Sequence, residues 1–179
     1  MPGPRLPEKT ISTEIASDER LIAGLKQRRY QLVILHQDPD DRALFCQRYM
    51  EEQLYISLAK DHPLAGRESV SFADLRGLRI LMDRNIGFWM DVCGGVLARE
   101  DLLVQDSFDA FHELVQASRL PLFNADQFLR RGYAPPGRVS IPLEDAAAHA
   151  TYYLTCLAAG QKAYRSVFNA VRGNLLKRG

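Results

Sequence analysis

Long apolar runs are missing from this 179-residue chain. The longest, such as Leu32-Val-Ile-Leu35, fall far below the roughly 20 residues needed to cross a bilayer, so no membrane span is expected. An excess of charge of one sign is missing too. The 23 Lys and Arg against 22 Asp and Glu leave a net charge of +1, which gives no electrostatic case for a nucleic-acid or membrane surface, and direct DNA binding is not expected. Cysteine is scarce: Cys46, Cys93 and Cys156 are widely spaced, odd in number and without a C-x-x-C pair, and read as reduced thiols in a cytoplasmic protein. Met1 to Pro7 lacks the apolar core of a secretory signal. Also absent are a Gly-rich phosphate loop, a nucleophile elbow, an H-E-x-x-H metal motif, internal repeats and low-complexity tracts.

What is there is an ordinary globular composition, 46% hydrophobic and 25% charged, long enough for one core or two small lobes. The most informative stretch runs from Glu52 to Leu78. In Gln53 to Ala59, Leu54, Ile56 and Leu58 fall on one face and Tyr55, Ser57 and Ala59 on the other, the period-2 pattern of a strand. Pro63 ends it, because proline has no N–H for the ladder and pushes His62 toward extended geometry. Ser71 then stands as an N-cap before Phe72-Ala-Asp-Leu75, with Gly77 as the stop.

Elsewhere, Thr10 to Ile15 reads as a short strand, and Ser17 caps a helix with Asp18 and Glu19 in its first turn and an apolar stripe of Leu21, Ile22 and Leu25. Gln31 to Leu35 reads as a fully buried strand, paired in parallel with the first, and His36 to Asp41 as a polar loop. The second half reads as a strand over Leu78 to Met82, a loop over Asp83 to Trp89, and a helix over Met90 to Arg99. A strand over Leu102 to Gln105 follows, then a Ser107-capped helix to Ala117, an extended segment over Pro121 to Phe123 and a short helix over Ala125 to Arg131. Tyr133 to Pro142 reads as a Pro/Gly-rich surface connection, Thr151 to Leu157 as a strand and Lys162 to Leu176 as an amphipathic helix.

The order strand, His62-Pro-Leu-Ala65, polar loop, Val70-Ser-Phe-Ala-Asp-Leu75 resembles the effector-binding domain of LysR-type transcriptional regulators. The resemblance implies an α/β, two-lobed, type 2 periplasmic-binding-protein-like fold with mixed sheets flanked by helices, its lobes joined by two crossing strands. Residues 1–60 and 150–179 are expected to form lobe I, and residues 61–149 lobe II. The chain reads as starting at the family's second strand, without the helix-turn-helix domain and without the first strand and helix. The likeness is weakest between Asp83 and Pro142, where Gln116 to Pro121 replaces the family's Gly-rich turn.

Each candidate for catalysis has a duller reading. His62 caps a turn, His112 and His149 lack a second metal ligand at a usable spacing, and Asp40-Asp41 and Glu51-Glu52 read as solvated charges. No nucleophile, base and orienting partner assemble, so neither catalysis, metal nor cofactor is expected. His36, at the carboxyl end of a strand, is the histidine best placed for a cleft. The resemblance implies a small organic effector held between the lobes near Ser17, Asp18, His36, Gln37, Asp83, Arg84, Asn85, Ser107 and Asn124. Asp18, Asp83 and Asp106 would repel an anion, which leaves a cationic or neutral effector, or no effector, open. The resemblance also implies a homodimer with Leu21, Ile22 or Leu25 in its contact. The other reading of the same fold is a stand-alone solute-binding or protein-interaction module with no DNA-binding role.

Overall fold

The computed structural model describes Glu14 and residues 16–176, with the side chains of residues 85 and 173–176 left out of the account. The strand expected over Thr10 to Ile15 falls almost wholly outside these residues. Chain order is α1 (Asp18–Lys26), β1 (Val33–Leu35), β2 (Leu44–Ala59), β3 (Ile80–Asp83), α2 (Phe88–Val96), β4 (Leu102–Gln105), α3 (Phe108–Ala117), β5 (Leu122–Ala125), α4 (Asp126–Arg130), β6 (Arg138–Pro142), β7 (His149–Leu157) and α5 (Arg165–Leu176).

The sheet order is β1-β7-β2-β5-β3-β4, with β6 also on β2. One strand carries both halves. From Leu44 to Gln53, β2 pairs antiparallel with β7, Leu44 opposite Leu157 and Gln53 opposite His149, interrupted by an irregularity between Arg48 and Met50. Beyond that, Leu54–Ser57 pairs with β5 and Tyr55–Ala59 with β6, both antiparallel. Only β5, β3 and β4 run parallel. A lobe boundary at residue 60 therefore takes in the stretch Leu54–Ala59, which pairs with the second sheet.

Local chemistry accounts for the short elements. Ser71 and Asp74 cap reciprocally: the Asp74 carboxylate accepts the Ser71 N–H at 2.9 Å and its hydroxyl at 2.8 Å, and the Asp74 N–H donates back to Ser71 Oγ at 3.3 Å. Gly77 follows at φ +76°, the left-handed position that a side chain resists. Ser107 accepts the Ala110 N–H at the start of α3, so that helix lies where the cap predicts. Two of the expected segments need correction. Tyr133 to Pro142 is not merely a connection, since Arg138–Pro142 forms β6 against β2. Gln31 to Leu35 is not fully buried: β1 spans only Val33–Leu35, Ile34 is 42% exposed, and its described neighbour is β7, antiparallel.

The main core packs Leu54, Ile56 and Leu58 of β2 with Phe72, Leu75, Ile80, Met82, Trp89 and Phe123. Under α1 a second cluster joins Leu21 and Leu25 to Val33, Leu35 and Leu44, with Ile22 at its margin. The expected dimer contact through Leu21 or Leu25 is therefore corrected: Val33 and Leu35 of β1 and Leu44 of β2 cover both side chains within the chain. The cysteines are free, and burial pushes the Cys93 thiol up to about 12. Among the described residues, no helix is long and apolar enough to cross a membrane.

Leu25 is fully buried, so Leu25→Ala should cost about 2–5 kcal/mol of stability in urea unfolding, through lost transfer energy and a residual cavity. A loss below about 1 kcal/mol would mean the α1 cluster is looser than described.

Candidate functional site

Strand β1 ends at Leu35, and His36 leaves it facing the start of α1. Asp18, the first residue of α1, holds it twice: one carboxylate oxygen accepts the His36 backbone N–H at 2.9 Å and the other lies 2.8 Å from Nδ1. A carboxylate can only accept, so Nδ1 carries the proton and Nε2 is left for other partners. The imidazole stacks on Phe88, with ring centroids 4.6 Å apart and planes 18° apart, and tilts against Tyr152 at 5.1 Å. Phe88 opens α2, and Gly87 before it adopts φ +68°, which glycine alone adopts readily. Through this stack the end of β1 touches the start of α2.

Glu52 joins the same assembly from β2. Its Oε2 accepts the Trp89 indole N–H at 2.8 Å and the Tyr152 hydroxyl at 2.7 Å. Burial, helped by the hydrogen bond and charge of Glu52, raises the Tyr152 phenol well above the ordinary tyrosine range. A cavity of about 240 Å³ lies alongside, lined by Glu51–Gln53, Asp126, Arg130 and His149–Thr151. It sits where β2 and β7 separate. Asp126 is buried there, accepting the Gln53 N–H at 3.2 Å and pairing with Arg130 at 3.0 Å. The reading of Glu51-Glu52 as two solvated charges thus holds for Glu51, which is exposed and paired with Arg48, and fails for Glu52.

A second group gathers at the carboxyl edge of the parallel strands. Asp83 lies opposite Gln105, and the register of Leu81 with Leu122 brings Asn124 level with Asp83. Arg84 pairs with Asp106, Ser107 caps α3, and Asn124 donates to the Tyr133 carbonyl at 3.5 Å. From this edge the turn Arg84–Ile86 leads to Phe88, and so to His36.

Of the nine residues expected at a ligand, Asp18 and His36 are bonded, and Asp83, Arg84, Ser107 and Asn124 share one sheet edge. Ser17 and Gln37 are exposed, and the Ser17 side chain makes no capping bond. The Asn85 side chain lies outside the described residues. Sequence reasoning missed Glu52, Phe88, Trp89 and Tyr152. The one signal available was an aromatic pair directly after a polar loop at a strand's carboxyl end. Among the described residues no group of His, Cys, Asp and Glu could hold a metal ion.

Comparison with known proteins gives this geometry a setting. The family model of the LysR substrate binding domain matches residues 4–175. Full-length OxyR from Pseudomonas aeruginosa is similar in structure with a TM-score of 0.65 at 12% identity, over 87% of this chain and 56% of that one. Full-length BenM gives 0.70 at 17% identity, over 92% and 57%. The regulatory domain of MetR, a LysR family regulator from N. meningitidis, gives 0.65 at 17%, over 84% and 72%. The chain thus spans just over half the length of the two full-length regulators, and at these identities the likeness is one of fold. No curated protein matches the sequence.

Replacing Glu52 with Ala should leave two donors without an acceptor and cost about 2–5 kcal/mol in urea unfolding. Trp89 is the only tryptophan, so its emission should shift to the red in the same variant. Unchanged stability and unchanged emission would show that the Glu52 bonds contribute nothing.

Proposed function

Because the chain belongs to the LysR substrate-binding domain family, we propose that it is the ligand-sensing and dimerisation part of a transcription regulator, with a small organic effector binding between its two sheets. The observation that carries this is the His36 assembly: a strand end, two helix starts and β7 meet at one imidazole held by Asp18, and Glu52 of β2 joins through Tyr152. Ligands in α/β folds bind outside the carboxyl ends of strands, where such groups converge. Among the described residues, the stretch up to Gln53 together with 149–176 forms one lobe and the stretch between them the other, with the pairing hand-over at Gln53 and Leu54. Glu51, Glu52 and Asp126 against Arg130 alone in the adjoining cavity favour a cationic or neutral effector over an anion. DNA contact belongs to a helix-turn-helix segment and not to these residues, whose charges nearly cancel.

The test is Trp89 emission and thermal unfolding of the purified chain against a panel of small amines, amino acids and neutral sugars. At least one should perturb the emission saturably and stabilise the fold, by about 2.7 kcal/mol at a hundred times its Kd. His36→Ala, in a folded protein, should abolish both effects. Binding that survives His36→Ala and Phe88→Ala would place the effector elsewhere.

For the dimer, apolar side chains left available in the first half include Ile22 of α1 and the exposed Ile34 of β1, which is an edge strand among the described residues. Light scattering at tens of micromolar should give a dimer, a modest interface being populated at roughly that concentration, and Ile34→Asp should give a monomer. A monomeric wild type ends this part of the proposal, and an unchanged dimer in Ile34→Asp moves the contact.

A further inference from the structure

Far from the His36 assembly lies a larger cavity, about 570 Å³, at the mouth of the β2–β6 pair. Its floor is the first residue of β6: Arg138 lies opposite Ala59, and its guanidinium donates to the carbonyls of Leu120, Val115 and Ser118 at the end of α3. Those bonds use three of its five N–H groups and fix the plane of the rest. Arg119 stands on one wall, paired with Asp61. Lys60 stands beside it with no ion pair among the described residues.

Counting the lining charges, Lys60, Arg119 and Arg138 face Asp61 alone, a surplus of two positive charges in a concave space. Burial lowers the Arg138 guanidinium below its ordinary range, and the nearby Arg119 charge adds to this, as expected where cations crowd without enough counter-charge. A guanidinium held flat with spare donors, flanked by a second guanidinium and an exposed ammonium, matches the oxygens of a phosphate or a carboxylate.

We infer that this cavity is a second binding site, separate from the interlobe cleft, for a small anion with at least two negative charges borne on phosphate or carboxylate oxygens. The ligand bridges Lys60 and Arg138, with Arg119 closing over it. The site is chemically opposite to the cleft, where carboxylates line the walls, so the two positions take different ligands.

Calorimetric titration of the full chain with inorganic pyrophosphate and with citrate, each against sodium chloride at matched ionic strength, tests the inference. One or both should bind saturably with one site per chain. Pyrophosphate alone would identify a phosphorylated ligand, and citrate alone a polycarboxylate. Lys60→Ala removes an exposed side chain that holds no structural bond, so the protein should fold, and the affinity should fall about tenfold, the worth of one charge-assisted bond. Asp61→Asn should tighten binding, and His36→Ala should leave it unchanged. No saturable binding of either probe, an affinity unaltered by Lys60→Ala, or a loss caused by His36→Ala would each overturn the site.

Discussion

A single strand belongs to both sheets, and the rest of the fold follows from that constraint. At 16 residues β2 is longer than the usual 3–10, and at about 3.3 Å per residue it reaches roughly 50 Å. It can remain one strand because a partner satisfies its backbone along the whole length: β7 as far as Gln53, then β5 and β6 on either side. The irregularity at Arg48 to Met50 lets the ladder curl before the hand-over. At the hand-over the partner changes from β7 at Gln53 to β5 at Leu54 without a gap, so the two halves are joined by β2 itself and by the side chains that flank the change. That is where Glu52 stands.

Glu52 therefore does structural work that its place in a run of charged residues conceals. Its acceptors hold Trp89 from the second half and Tyr152 from β7, and Tyr152 in turn bears on His36. A half-buried carboxylate is well served there because two strong donors meet it. The same economy holds at Asp18, which spends both oxygens on one histidine.

How much of this was legible depended on whether the signal was local. Strand β4 and helix α3 lie where the sequence places them, because Leu102–Gln105 is a short apolar run and Ser107 is a cap whose bond spans three residues. The first half of β2 escaped, since Gln47, Arg48, Glu51 and Glu52 break the alternation that marks a half-buried strand, and its pairing with β7 is formed a hundred residues away. Strand β6 escaped because Pro135, Pro136 and Gly137 announce a turn, and the strand that follows is defined by its partner rather than by its composition. In the site, His36 and Asp18 follow from strand-end and helix-start rules. Phe88, Trp89, Glu52 and Tyr152 meet only through folding, at separations of 37 and 100 residues between bonded partners.

The energies of these contacts bear on how such a cleft could respond to a ligand. The two halves share a covalent strand, so they cannot separate; what can change is the set of side-chain contacts beside the hand-over. An aromatic stack such as His36 on Phe88 is worth about 0.5–1.5 kcal/mol beyond its buried area, small against the roughly 8 kcal/mol of a micromolar ligand. The bonds from Asp18 and to Glu52 are individually stronger, and they lie within or across the strands that define the fold. A ligand that replaces the stack while leaving those bonds intact would shift the relation of α2 to α1 at modest cost. The size of that shift is bounded by the ligand's difference in affinity for the stacked and unstacked arrangements.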